Sequence, residues 1–392
     1  MRVPPQRIPS RVIEPLVRFI QVEVSSGAML LGAAVLALIW ANSSASADYF
    51  ALIEQPFLGI PLKSAINDGL MAIFFLLVGL EIKREVRIGE LAGWKRAALP
   101  IAGAIGGMIV PALIFTAVNA GTPAARGWGI PMATDIAIAL GVLNLAGKSV
   151  PLSLKAFLAA LAIADDLGAV AVIAVFYGHE LHLNMLGPVG LVLVGLVSLR
   201  LLRIRRLAPY LVLGIGLWWY VWKLGIHPTV AGVVLAAFIP VRETVGETVS
   251  PLARLEAKLH PGVVFFIVPV FVFANVGIPI ASSVTQGLTS GNGQGIVLGL
   301  LVGKPLGICL ACWLAARAGL ATLPAKITWM QLVGVGVLGG IGFTMSLFVT
   351  ELAFQDSILI SGAKGAILVA SSAAALGGLI LLRRVAKSEA AT

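Results

Sequence analysis

The sequence predicts an all-α membrane protein with twelve transmembrane helices, and three observations carry that prediction. Of its 392 residues, 59% are hydrophobic and 12% charged, whereas soluble domains carry about 25% charged residues. The apolar residues fall into long runs near the length that a bilayer requires, about 20 residues each. Lys and Arg collect on alternate gaps between those runs, as they do in cytoplasmic loops. A water-soluble fold of this size has too little interior to hide so much apolar surface.

Bounded by charges and Gly/Pro turns, the runs lie roughly at 26–43, 65–82, 98–119, 127–146, 151–177, 185–200, 208–222, 226–240, 256–276, 295–316, 329–350 and 361–382. The sixth to eighth are short. With the N-terminus inside, nearly all of the 28 Lys and Arg fall on the inner side. The exceptions are Lys63, Arg126, Lys223 and Lys364 on the outer side and Lys304 within span ten. Both termini are therefore expected in the cytoplasm. Arg2, Arg7, Arg11 and Arg18 precede the first run with no cleavage site after a short apolar core, so span one is expected to act as its own insertion signal. The first outer loop, about residues 44–64, carries Tyr49-Phe50 and Phe57-Leu58 around Glu54-Gln55-Pro56. A small β-hairpin and an irregular loop both fit it.

The formal charge of +10 is spread between spans rather than gathered into a patch with aromatics, which excludes nucleic acid as a partner. Cys309 and Cys312 sit in an apolar run with no histidine nearby and read as inert small side chains. No resident cofactor is expected.

The chain reads as one polytopic domain, 1–392, with an internal repeat. Spans three to five, about 98–177, and ten to twelve, about 295–382, are offset by an odd number of crossings. If equivalent, they run through the bilayer in opposite directions. Their middle members are both interrupted, by Pro131-Met132-Ala133-Thr134-Asp135 and by Gly339-Gly340-Ile341-Gly342-Phe343-Thr344. Paired breaks of this kind mark discontinuous helices around an ion site near the midplane.

Four ionisable side chains stand well inside the runs: Asp135, Asp165, Asp166 and Lys304. Each costs a few kcal/mol or more to insert, so each reads as functional and facing protein or water. Asp165 and Asp166 are helix neighbours about 100° apart. One can line a cavity while the other reaches a partner. Two carboxylates in a low dielectric resist ionising together and titrate as a coupled unit. A hard monovalent cation such as Na+ needs their oxygens deprotonated, so protons and cation compete for one site. Lys304 needs a counter-charge, which Asp165 or Asp135 can supply, and is read as both a structural neutraliser and a participant in proton coupling. Asp135 balances the amide ends of half-helices rather than binding the ion directly. Thr134 is a further oxygen donor for Na+ beside Asp165 and Asp166. Asp68 lines an entrance or caps its helix.

The motifs together resemble the bacterial NhaA-type sodium/proton antiporter family. They are Asn67-Asp68 through Phe74-Phe75-Leu76-Leu77-Val78-Gly79-Leu80-Glu81, Ala104-Ile105-Gly106-Gly107, and Ala133-Thr134-Asp135-Ile136-Ala137. Further matches are Ala164-Asp165-Asp166-Leu167-Gly168-Ala169, His227 with Ala231-Gly232-Val233, Gly303-Lys304-Pro305-Leu306-Gly307, and Gly340-Ile341-Gly342-Phe343-Thr344-Met345-Ser346. The resemblance implies crossing broken helices four and eleven, with Thr134, Asp135, Gly340 and Gly342 at the breaks. It implies electrogenic exchange of Na+ or Li+ for protons in the inner membrane, serving sodium and pH homeostasis. Asp166 is then the principal cation ligand, Asp165 its partner, and Lys304 the salt-bridge partner. It also implies a homodimer through the first outer loop. The family's pH response maps to Glu81, Arg84, Glu85, Glu256 and His260, with His227 also relevant. Ala257 stands where family members can carry histidine. His179 and His182 read as solvated loop residues.

Two rivals predict other features. A sodium-coupled symporter for organic anions needs a larger polar cavity with more Ser, Thr, Asn or Gln in the broken spans. An intramembrane aspartyl protease, the enzyme alternative, needs two carboxylates facing each other, normally from different helices, and neighbours in one helix diverge. The protein is expected to be a transporter and not an enzyme.

Overall fold

The computed structural model describes residues 10–57, 59–147, 150–178, 180–241, 249–324 and 327–391. Arg2, Arg7, Leu58 and His179, named above, lie outside them.

The chain is almost entirely helical. It opens with α1 (Ser10–Ala41), which meets α2 (Ser46–Glu54) at a bend of 116°. Tyr49 of α2 is fully buried and donates to the carbonyl of Phe273 at 2.6 Å, which ties the bend down. Two short antiparallel strands follow, β1 (Pro56–Phe57) and β2 (Ile60–Pro61), with Phe57 opposite Ile60 and Gly59 at φ +87° in the turn. The first loop is thus a hairpin, with both strands exposed.

Helix α3 (Leu62–Arg87) contains a wide π turn at Ile66–Leu70. Next come α4 (Trp94–Asn119), a 3₁₀ segment (Pro123–Met132), α5 (Ile136–Leu145) and α6 (Leu152–Phe176). Then follow α7 (Leu186–Leu201), α8 (Leu207–Leu224), the short α9 (Thr229–Phe238) and α10 (Pro251–Val276). The last group is α11 (Ile280–Thr289), α12 (Gly291–Arg317), α13 (Trp329–Gly339), α14 (Phe343–Ala353) and α15 (Ser357–Ala391).

Among the described residues, eight helices are long and apolar enough to cross a membrane, or up to 11 crossings if each of three bent pairs is one span. Two of those pairs are the interrupted spans of the sequence: the 3₁₀ segment with α5, bent by 46°, and α13 with α14, bent by 42°. The third pair is α1 with α2. Helix α9, the expected eighth span, is only 10 residues long, about half of what a full crossing needs. Its last turn is capped by Lys83, whose Nζ donates to the carbonyls of Ala236, Ala237 and Ile239. A cation there offsets the negative end of the helix.

Most buried residues form one core shared by α1 to α6, α10 and α12 to α15. A second, smaller core joins α7, α8 and α9 to α3 through Leu76 and Leu80. Leu191, Val194, Val212 and Ile215 of α7 and α8 stay exposed. Helices apolar on faces that no protein covers need hydrocarbon around them. Close crossings depend on absent side chains. A Cβ on Gly307 would collide with the carbonyl of Gly106, and one on Gly106 with that of Gly307, so α12 lies directly against α4.

Candidate functional site

The two breaks meet and interlock. Thr134 and Asp135 form the extended link between the 3₁₀ segment and α5, with Asp135 at ψ 103° as the N-cap of α5. The Asp135 amide donates to Ile341 O at 2.6 Å, and Thr134 Oγ1 donates to Gly339 O at 3.0 Å. In return Thr344 donates to Asp135 Oδ2 through its hydroxyl at 2.6 Å and its amide at 3.2 Å. Asp135 Oδ1 also accepts from Ile138 N at 3.0 Å. One carboxylate therefore sits at the positive ends of both α5 and α14. Ser346 adds a bond to Ile130 O at 2.7 Å.

Gly340 and Gly342 lie at φ −70° and −85°, which any residue adopts. Space is what makes them glycine. A Cβ at Gly340 would strike the Leu300 carbonyl, and one at Gly342 the Ser346 hydroxyl.

Asp165 and Asp166, both buried in α6, point apart as adjacent helical positions must. Asp165 faces Lys304: Nζ lies 2.6 Å from its Oδ2, with both side chains inaccessible to water. Lys304 Nζ also donates to the Met132 carbonyl. The lysine thus joins α12 and α6 to the carbonyl end of the first half-helix. Thr134 lies beside Asp165 as well. Asp165, not Asp135, is the counter-ion of Lys304, while Asp135 serves the amide ends.

Asp166 instead lines a cavity of about 70 Å³ with Glu81, Thr134, Asp135, Thr344 and Ser26. Carboxylate and hydroxyl oxygens converge there, with apolar walls from Phe74, Val264 and Val268. Among the described residues no three His, Cys, Asp or Glu side chains gather closely enough to hold a metal ion by themselves. The polar donors of this cavity are all oxygens, a set that suits hard cations rather than soft transition metals.

Glu81 opens onto a charged group at the same end of the molecule. His260 Nε2 is 3.8 Å from Glu81 Oε1, and Arg84 lies 3.0 Å from Glu256 and 3.4 Å from Glu85. His227 is not part of that group. It sits at the opposite, hairpin end, 3.4 Å from Asp68 and 2.7 Å from Thr229 Oγ1. Asp68, His227 and His182 line a second cavity of about 730 Å³ with Arg126 and Gln355.

One buried charge group went unseen in the sequence. Glu351 of α14 lies 2.8 Å from Lys63 and 2.6 Å from Lys364, and Lys364 is 4% exposed within α15. It is not the outer-loop cation expected. Ending span eleven at residue 350 hid Glu351 at a helix terminus. The available signal was a lone carboxylate two turns past the second break and a lone lysine inside the next apolar run.

Comparison with known proteins places the chain in a family. The profile described as Na+/H+ antiporter 1 matches residues 17–382. A Na(+)/H(+) antiporter NhaA 1 of Pseudomonas savastanoi is 52% identical over 375 residues, covering 95% of this chain and 96% of that protein. The NhaA antiporter of Caulobacter vibrioides is 51% identical, covering 91% and 88%. That of Escherichia coli is 49% identical, covering 93% and 97%. These relatives are named as antiporters rather than enzymes, and with its many apolar helices the chain is a multi-pass membrane protein that belongs to the Na+/H+ antiporter 1 family.

Proposed function

We propose that this protein exports Na+, and Li+ as a similar hard cation, in electrogenic exchange for protons. One observation carries the reading: Asp166 opens into an oxygen-lined cavity while its neighbour Asp165 is paired with Lys304 behind it, directly against the interlocked breaks. Na+ enters beside Asp166, with Thr134 among its oxygen ligands, and displaces the proton held there. Its charge draws Asp165 away from Lys304, so the Asp165–Lys304 couple gives up a further proton. More protons than sodium ions then cross per cycle. The neutral oxygens cannot hold the cation against reprotonation of Asp166, so protons and Na+ occupy the site by turns.

In this reading the chain crosses the bacterial inner membrane twelve times, with α9 supplying the short eighth crossing and both termini in the cytoplasm. The units 98–177 and 295–382 are the inverted repeats. The end with Glu81, Arg84, Glu85, Glu256 and His260 faces the cytoplasm, where it tunes the response to pH, and Asp68 and His227 face outward. The exposed hairpin pairs with a second copy to make a homodimer. Sodium and pH homeostasis is the physiological outcome.

The test is direct. In everted vesicles or proteoliposomes, added Na+ or Li+ is expected to collapse an imposed pH gradient, and Asp166→Asn to abolish that response. An Asp166→Asn protein that exchanges like the parent would refute the assignment.

A further inference from the structure

The exchange proposed above needs a route from the Asp166 cavity to the opposite end of the molecule, and α14 marks it. Thr344 and Met345 at its start line the Asp166 cavity, and Gln355 just beyond its end lines the outer one. Between them Phe348 and Glu351 follow at the three- and four-residue spacing of one helix face. Phe348 is fully buried, its ring 5.3 Å from Phe75, 5.4 Å from His227 and 5.9 Å from Phe271. His227 belongs to the outer cavity and Phe74, next to Phe75, to the inner one. Phe348 therefore stands between residues of the two cavities, where a plug would sit.

One turn further out stands Glu351 with its two lysines, each on a separate carboxylate oxygen. The lysines differ in what they tie. Lys364 is on α15, which follows α14 after residues 354–356, so that pair moves with α14. Lys63 is on α3, the helix that carries Asp68 and Phe75 on the far side of the plug. Parting α14 from α3 breaks the Lys63–Glu351 bond and spares the Lys364–Glu351 bond. Removing one partner of a buried pair is costly because it strands a charge. The second lysine removes that penalty. The Glu351 carboxylate stays compensated while the contact to α3 opens and closes.

We infer that Lys63–Glu351 is the outer latch of the exchanger, resting on the exchange reading above. It is closed, with Phe348 seated, while the Asp166 cavity is open to the cytoplasm, and it parts when the outer path opens. Lys63 and Glu351 are positioning residues: they touch no transported ion but set how often the outer route exists.

The test places a probe inside the plug, Met345→Cys, in a chain carrying Cys309→Ala and Cys312→Ala. A membrane-impermeant maleimide is added from the outer side of oriented vesicles. Lys63→Gln is expected to raise the labelling rate about two- to fivefold, the effect of losing one partly exposed ion pair, while Lys63→Arg labels at the parent's rate. The KM for Na+ on the outer side should fall relative to that on the inner side, an asymmetry that general loosening would not produce. Lys63→Gln is preferred to Glu351→Gln because the latter strips both lysines of their partner and endangers the fold. Lys63→Glu supplies a second variant, with repulsion in place of attraction. Parent-like labelling in both Lys63→Gln and Lys63→Glu would overturn the latch. Labelling needs no turnover, so a parent that fails to exchange Na+ would sink the exchange reading by a separate result.

Discussion

Replacing Asp135 by alanine removes the carboxylate that caps both broken spans, and its cost can be worked from the bonds. The carboxylate accepts from Ile138 N at 3.0 Å, Thr344 N at 3.2 Å and Thr344 Oγ1 at 2.6 Å. Losing the N-cap of α5 costs about 1 kcal/mol. Leaving the buried Thr344 amide and hydroxyl without their acceptor costs roughly 1–3 kcal/mol each. The adjacent cavity lets water reach them, so the lower end applies, and the whole loss is about 3–4 kcal/mol. Asp135→Asn keeps one acceptor oxygen and should lose about half of that. Thr344→Val removes only the hydroxyl bond, about 1 kcal/mol. The assay is thermal unfolding of the purified protein in detergent at one fixed heating rate, since such transitions depend on rate. Apparent Tm should fall in the order parent, Thr344→Val, Asp135→Asn, Asp135→Ala. Thr344→Val should add almost nothing in the Asp135→Ala background, because its partner is already gone. Full additivity of the two substitutions, or an Asp135→Ala protein as stable as the parent, would refute the shared cap.

Two further experiments probe the buried ion pair and the packing around it. Lys304→Gln strands the Asp165 carboxylate in a fully buried position and should cost about 3–5 kcal/mol, measured by the same unfolding assay. The double variant Asp165→Asn with Lys304→Gln should recover much of that stability; a double variant no better than Lys304→Gln would mean that the pair is not the source of the loss. Gly307→Val forces a side chain into the Gly106 carbonyl and should abolish stable folding, whereas Gly141→Ala, whose Cβ meets nothing within 4 Å, should be neutral or stabilising by up to about 1 kcal/mol. Comparable yields of the two proteins on gel filtration would contradict the close crossing of α4 and α12.

Much of the architecture was legible because a bilayer turns a three-dimensional problem into a one-dimensional one. A run of bilayer length and a lone charge within it can both be read along the chain, which is how the helical runs, the two interruptions and Asp135, Asp165, Asp166 and Lys304 were found. A hairpin and an irregular loop fit the sequence of the first outer loop equally well, since two strands of two residues give almost no periodicity. The π turn holding Asp68 and the fold-back of α2 onto Phe273 left no pattern at all.

Which side chains are too costly to bury without a reason can be read along the chain, because that cost depends on residue type and on the apolar run around it. Their partners emerge only in three dimensions: Lys304 with Asp165, Asp135 with the amides of α5 and α14, Glu351 with lysines from the start of α3 and from α15. Pairing depends on which way a side chain leaves its helix and on separations of about 3 Å between helices far apart in the chain. Spacing along one strand of sequence carries no record of either.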